Sequence, residues 1–477
     1  MSSIESTAGI PEGRTSGGEP SIDQLGIALV PESQQTKKPV ELFFVWCAAN
    51  IGILGVVYGA IIVSFGLSFI QSVLAAVVGV ASFALVGVSS MAGKIGRTTT
   101  LTLSRSSFGK QGNIAPTSFC WINLMGWEAV NIITGTLTVV ALLSAVGITE
   151  SVATKVIALI LFGGLTVIVS MLGQNTVLLM QKWITRTFGA MTLFVVLYLL
   201  STADWPAILA LPSGNWLTGF LPAVSIIAAG TGISWAIAGA DYSRDQASSS
   251  SNRSIFSSVV VGAGLPLVLL MLTGILLTAQ IPDLASHENP ISAIGQLLPT
   301  WMAIPYLAAA VAGIVTISVL SLYSASLNLL SMGIKLKQRT AIALDATLIL
   351  GIALYVLFVS GDFLGPFIAF LVFCGVFLAA WAAIFISDFF SYHRHRGYSE
   401  QELFGETGTI LPTLTCWIAG ALSGLMVTKT GFIDGPFAVG IFADSSLGLF
   451  VSFGVSLLMY NLYNKALRPQ QESVCLS

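Results

Sequence analysis

Charge is what this sequence has least of. Among 477 residues, 20 are Lys or Arg and 22 are Asp or Glu, 9% in all. An ordinary soluble domain carries about 25%, so this chain cannot cover a water-facing surface. Histidine is almost missing. His287, His393 and His395 all fall in expected loops, which argues against a buried histidine metal site. The five cysteines (Cys47, Cys120, Cys374, Cys416, Cys475) show neither CxxC nor metal-ligand spacing. Most of them read as small apolar residues inside helices. No GxxxxGK[ST] phosphate loop occurs, so ATP-driven work within this chain is not expected. No converging acid, base or metal set points to an enzyme, and neither a cofactor nor a nucleic-acid partner is expected.

What is abundant is apolar sequence, 55% of residues with a mean hydropathy of +0.87. That composition places the chain among all-α polytopic membrane proteins. Apolar stretches of about 20 residues, the length that spans hydrocarbon, fall at 41–65, 67–92, 114–146, 153–173, 178–200, 218–240, 256–280, 301–333, 341–360, 363–387, 408–428 and 437–463, twelve in all. Residues 1–36 are rich in Ser, Gly, Glu and Pro and read as a disordered cytoplasmic tail rather than a signal peptide. Residues 466–477 read as a second tail.

Orientation follows from Lys and Arg. With the N-terminus inside, the cytoplasmic loops hold Lys37, Lys38, Lys94, Arg97, Arg105, Lys110, Lys182, Arg186, Arg244, Arg253, Lys335, Lys337, Arg339, Arg394, Arg396, Lys465 and Arg468. Only Lys155 and Lys429 fall outside. Both termini are therefore expected in the cytoplasm of a plasma-membrane protein.

Helix-breaking residues then mark a site. The first span carries Asn50, Gly52 and Gly55 at mid-depth, and the sixth carries Gly230-Thr231-Gly232. These spans open two successive groups of five, covering 37–200 and 201–400, with two further helices over 401–465. Five is odd, so the second group is inverted relative to the first. Interrupted helices at matching places in two halves point to a transporter's central site, although glycine also serves close helix packing.

The third span adds Trp127 and Asn131, four apart and on one helix face. An indole with an amide one turn away suits a flat polar heterocycle, stacked on the ring and read at its edge; a packed Trp with a helix-bridging Asn is the plainer alternative. Glu128 sits about 100° round the helix from Trp127. An intramembrane carboxylate is expensive, and this one could carry a coupling proton or hydrogen-bond a neighbouring helix. In the eighth span the hydroxyls of Ser318, Ser321, Ser324 and Ser326 form a polar stripe, lining a cavity or joining helices. Asp345 is expected near the cytoplasmic interface, and Asp388 as a cap or loop anchor.

Over residues 38–465 the chain resembles the nucleobase–cation symporters of the purine–cytosine permease family. The resemblance rests on WCAANIG in the first span, GKIGRTTTLTLSRSSFGKQG in the following loop, GW-x3-N in the third span, GADYSRD after the sixth and SDFFSYHRHRGYSEQELF after the tenth. It implies a LeuT-like fold of two inverted five-helix repeats plus two C-terminal helices. It also implies uptake of a nucleobase or similar heterocycle driven by sodium or protons. Trp127 then corresponds to the stacking residue of the third helix, Asn131 to the amide one turn later and Trp235 to the aromatic of the sixth helix. Ser234, Gly232, Asn50, Gly52 and Ser318 are further expected contacts. Relatives often place an asparagine in the eighth helix, where this chain has Ile317-Ser318. Ala49, Thr316 and Ser318 are candidate ion-site residues, but no adjacent hydroxyl pair stands at that point, which favours protons and Glu128. The expected function is secondary active import of cytosine, a purine or a related heterocycle. Allantoin, a hydantoin or a vitamin-like pyridine is the alternative substrate, and an uncoupled facilitator the alternative class. The expected partners are that substrate and the lipid bilayer.

Overall fold

In a bilayer every backbone N–H and C=O must find its partner inside the protein, and this chain answers with helices. The computed structural model describes residues 25–466, apart from 171–173, 279–283, 285–290, 292–294, 296–297, 335, 337, 361–363 and 444. The principal helices are α1 (Pro39–Asn50), α2 (Leu54–Ser64), α3 (Phe69–Val80), α4 (Phe83–Gly96), α5 (Ile114–Ala145), α6 (Val152–Ser170) and α7 (Gln174–Thr202). They continue as α8 (Leu221–Ala228), α9 (Asn252–Thr278), α10 (Thr300–Ser331), α11 (Gln338–Tyr355), α12 (Leu364–Asp388), α13 (Leu411–Met426) and α14 (Gly448–Ala466).

Among the described residues, nine helices are long and apolar enough to cross a membrane, or ten if the bent pair α1–α2 is one span. Helices α13 and α14 occupy the stretches expected for the eleventh and twelfth spans, but α13 is only 16 residues long.

Burial sorts the helices into an inner and an outer layer. The span through α8 and the one formed by α5 are 83% and 78% buried, whereas α6 and the α11 span are 33% and 28% buried. The outer helices expose Ile157, Ile160, Leu161 and Ile168 on α6, and Leu344, Leu348 and Ile352 on α11. Bare aliphatic side chains over several turns suit lipid rather than water. The two 32-residue helices α5 and α10 form the most extensive helix pair inside. Helices α2 and α9 approach closely through Gly59 and Gly274. A Cβ on either would strike backbone, the Met271 carbonyl in one case and the Val56 carbonyl in the other.

The basic loops gather at one end. Lys94 donates to the Ser250 carbonyl at 2.7 Å, and Arg105 donates to the carbonyls of Leu403 and Ser331 at 3.0 and 2.7 Å. The turn after the sixth span is the hub of this end. Asp241 accepts from the Thr100 N–H at 2.9 Å and its hydroxyl at 3.0 Å. Tyr242 donates to the Leu320 carbonyl on α10, and Ser243 to the Ser90 carbonyl on α4. Arg244 bonds the Tyr323 hydroxyl and the Gly26 carbonyl.

Three expectations change here. The polar N-terminal segment is not a free tail as far as residue 36. From Leu25 the chain lies on the basic end, with Val30 fully buried and its N–H donating to the Arg97 carbonyl at 2.8 Å. His393 is not in an open loop. It is buried in the helical turn that prolongs α12, stacked on Tyr398, with Nε2 3.0 Å from Asp388. Asp388 is an anchor, as expected, but a buried one, accepting from Ser107 at 2.8 Å and Tyr460 at 2.7 Å. His287, Cys475 and residues 1–24 and 467–477 of the expected tails lie outside the described residues.

Candidate functional site

The first span breaks where the sequence places Asn50. Helix α1 stops there, the chain runs through Ile51-Gly52-Ile53, and α2 resumes at an angle of 65°. Asn50 is itself the closure of the break, donating Nδ2 to the Trp46 carbonyl at 2.8 Å. The glycines let neighbours come close. A Cβ on Gly52 would meet Ile317 at 2.9 Å.

The sixth span deforms differently. The helix does not unwind at Gly230-Thr231-Gly232. It widens into a π-turn over Ala229–Ile233 and then tightens into 3-10 turns at Ala236–Ala238 and Ala240–Tyr242. Side chains absorb the backbone groups this disturbs. Thr231 donates to the Ile227 carbonyl, Ser234 to the Ala229 carbonyl (each 2.6 Å), and the Gly232 N–H to the Ser82 hydroxyl at 3.1 Å.

One side chain ties the two interruptions together. The Tyr58 hydroxyl on α2 donates to the Gly230 carbonyl at 3.3 Å. A Cβ on Gly230 would overlap that hydroxyl, so glycine is required for the contact.

Between the interruptions lies a cleft, open in part to solvent, whose non-atom space including that solvent is ≈ 450 Å³. The first span contributes Ala49, Asn50, Gly52 and Tyr58; the sixth contributes Gly230, Thr231 and Trp235; α5 contributes Trp127 and Asn131. Leu267, Ile317 and Ser321 complete the wall. Both indoles make T-shaped contacts with other aromatics. Trp235 meets Trp46 at 5.6 Å and 86°, and Trp127 meets Phe367 at 5.5 Å and 80°. The Trp127 Nε1 finds no partner among the described residues. Both indoles lie on the wall of the cleft, and an indole is the kind of group on which a flat aromatic ligand stacks.

Six expected site residues therefore meet in one cleft: Trp127, Asn131, Trp235, Asn50, Gly52 and Ala49. Five do not line it: Gly232, Ser234, Thr316, Ser318 and Glu128. Gly232 faces the start of α4, where a Cβ would run into the backbone of Ser82 and Phe83. Ser234 turns into the protein, towards Ala229 and the Asn123 side chain. Thr316 is buried, donating to the Gly313 carbonyl of its own helix at 2.7 Å. Ser318 lies one step further round, facing Glu128.

Glu128 itself is fully buried. Its Oε1 accepts from Asn131 Nδ2 at 3.0 Å, and its carboxyl lines a second, much smaller cavity between α5, α6, α10 and α11. Asp345, early in α11, is the neighbouring acidic residue. It is fully buried beside that cavity and accepts from Trp121 Nε1 at 3.1 Å. Sequence reasoning missed Tyr58 and Phe367, single aromatic residues in apolar helices that carry no motif, while Ile317 was visible only as the place where relatives carry an asparagine. Ser321 was visible only as one member of a stripe.

Replacing Gly230 tests the strut between the interrupted helices. Gly230→Ala should cost about 1–3 kcal/mol of stability, as overpacking does, seen as a lower Tm of the purified protein in detergent. Adding Tyr58→Ala should return part of that loss. Losses that simply add would contradict a direct contact.

Comparison with known proteins gives the family and the fold. The family of permeases for cytosine/purines, uracil, thiamine and allantoin matches residues 29–452. A Bacillus subtilis (strain 168) protein named as a purine-cytosine permease, YxlA, is 26% identical over 466 residues, covering 93% of this chain and 96% of that protein. Among solved structures, Mhp1, a nucleobase-cation-symport-1 family transporter in a closed conformation with bromovinylhydantoin bound, superposes with a TM-score of 0.69 at 17% identity. That match covers 92% of this chain and 95% of Mhp1. A Na+-coupled sialic acid symporter in a substrate-bound outward-open state follows at 0.59 and 10% identity, covering 91% and 90%. The fold is thus that of Mhp1, and the chain belongs to the family of permeases for cytosine and purines, uracil, thiamine and allantoin.

Proposed function

We propose that this chain is a secondary active transporter that imports a nucleobase, such as cytosine or a purine, or a closely related heterocycle, across the plasma membrane. The carrying observation is the cleft where the first and sixth spans are interrupted, walled by Trp127, Trp235 and Asn131. The ligand ring stacks on the two indoles. Asn131 reads its edge through Oδ1, since Nδ2 is engaged by Glu128. The backbone around Asn50 and Gly52, with Thr231, Ser321 and the Tyr58 hydroxyl, supplies the remaining polar contacts. Gly232 and Ser234 act behind this wall by holding the π-turn in shape.

Alternating access follows from the same feature. Helices interrupted at mid-depth hinge without losing their backbone partners, and one bundle moves against the other around a fixed site. The matching interruptions, and the pairing of α5 with α10, support two inverted groups of five spans followed by two more. The gathering of basic loops at one end supports cytoplasmic termini. The driving ion is a proton or sodium, with Ala49 on the cleft wall and Thr316 and Ser318 nearby on α10. The hydantoin held by Mhp1 makes a hydantoin or allantoin the second substrate reading.

A competition panel of purines, pyrimidines and hydantoins against labelled cytosine, run in proteoliposomes with and without sodium, tests the substrate. Trp127→Ala and Trp235→Ala should each weaken binding about 5- to 150-fold, the equivalent of the roughly 1–3 kcal/mol that base–aromatic stacking contributes. Normal uptake by either variant would remove the stacking reading, and substrate that never exceeds the outside concentration under any ion gradient would favour a facilitator. For orientation, a cysteine at Lys429 should react with an impermeant reagent on intact cells, and one at Arg394 only after permeabilisation. Labelling of both from the same side would overturn the topology.

A further inference from the structure

Glu128 is a carboxyl with half of its hydrogen bonding missing. Oε1 accepts from Asn131 Nδ2 at 3.0 Å, while Oε2 has no partner among the described residues, although the side chain is fully buried. The Ser318 and Ser321 hydroxyls on α10 face the same carboxyl, yet neither sits in hydrogen-bond geometry with it or with another described residue. Three buried oxygens thus converge unsatisfied at one point. Unmade hydrogen bonds are costly in the interior, so the arrangement is built around something that comes and goes.

The donor set says what that is. A hard cation needs many oxygens, about six or more for calcium, and the carbonyls nearby belong to the hydrogen-bonded ladders of α5 and α10. Among the described residues, no group of three or more His, Cys, Asp or Glu could hold a metal. A proton needs only one acceptor that can also become a donor. With Oε2 protonated, the acid donates to a serine oxygen. With Oε2 ionised, the serine hydroxyls rotate and donate to it, since a hydroxyl serves in either role. Asn131 donates to Oε1 in both states.

The same side chains touch the ligand. Asn131 and Ser321 line the large cleft while facing Glu128. On its other side the carboxyl lines the smaller cavity, whose walls from α6 and α10 (Gly163, Thr166, Val167, Leu322) are uncharged. The titratable groups facing Glu128 are Asp345 on α11 and Tyr242 from the hub turn.

We propose that Glu128 is the proton-carrying site of this transporter, and that Asn131 and Ser321 report its protonation to the bound heterocycle. The proton adds to Oε2 from water on the outside and leaves from the same oxygen to water on the inside; no other bond changes. Two ligands acting on shared side chains must influence each other reciprocally. This rests on the transport reading above, but its first test does not.

Infrared difference spectra of the purified, substrate-free protein across a pH titration should show the carbonyl stretch of a protonated acid. One component should be lost in Glu128→Gln and kept in Asp345→Asn. Persistence of the full band in Glu128→Gln, or its loss in Asp345→Asn alone, would overturn the assignment whatever the substrate is. In proteoliposomes, an inward gradient of one pH unit should drive about tenfold accumulation per proton in the parent. Glu128→Gln should show no such accumulation while still exchanging labelled for unlabelled substrate. Undiminished proton-driven accumulation in Glu128→Gln would refute the proposal and leave the transport reading standing. A parent that takes up no heterocycle would refute the transport reading and leave the infrared assignment standing.

Discussion

Everything in this molecule depends on one constraint: a helix interrupted inside a membrane must dispose of the backbone groups it frees. Two spans are interrupted, and each supplies its own closure. Asn50 returns to the Trp46 carbonyl, while Thr231 and Ser234 return to the carbonyls of Ile227 and Ala229. Ser82 takes the Gly232 N–H, and Tyr58 reaches from one interruption to the other at Gly230. With these groups satisfied by protein, the space left between the spans is free for a ligand, and the indoles of Trp127 and Trp235 close its sides.

The two cavities share their partition. Asn131 stands between them, because it lines the larger cleft while its amide bonds the Glu128 carboxyl, which lines the smaller cavity. Ser321 lines the larger cleft from α10 and faces the same carboxyl. Coupling between a driving ion and a substrate asks for a wall of this kind, thin and made of polar groups that can rearrange. At the basic end the hub formed by Asp241, Tyr242, Ser243 and Arg244 binds α4, the Thr100 turn, α10 and the N-terminal segment together.

Much of this was legible in the sequence for physical reasons. Apolar length reports membrane spans directly, and Asn50, Gly52 and Gly230 mark interruptions because few other residues are tolerated there. Trp127 and Asn131 stood out since an indole and an amide at mid-span need a purpose. The orientation of small polar residues was not legible. Ser234 lies next to Trp235, yet the π-turn adds a residue to the helical repeat and rotates it into the protein, which 3.6-residue periodicity cannot foresee. Gly232 was read for its place near the ligand, whereas it is needed for close approach to Ser82. Tyr58 and Phe367 were invisible because an aromatic in an apolar helix looks alike whether it lines a cleft or packs against lipid. His393 was taken for a loop residue because its Ser-Tyr-His-Arg-His context is polar. Burial came from the Asp388 carboxyl and the Tyr398 ring, contacts that depend on the fold of the following segment.

The central claim is that a planar heterocycle sits between the third and sixth spans. The most direct measurement is a structure of the protein with its tightest-binding heterocycle from the competition panel. The account predicts flat density between Trp127 and Trp235, with its polar edge on Asn131. Ligand density elsewhere, with the two indoles in contact with protein alone, would contradict it.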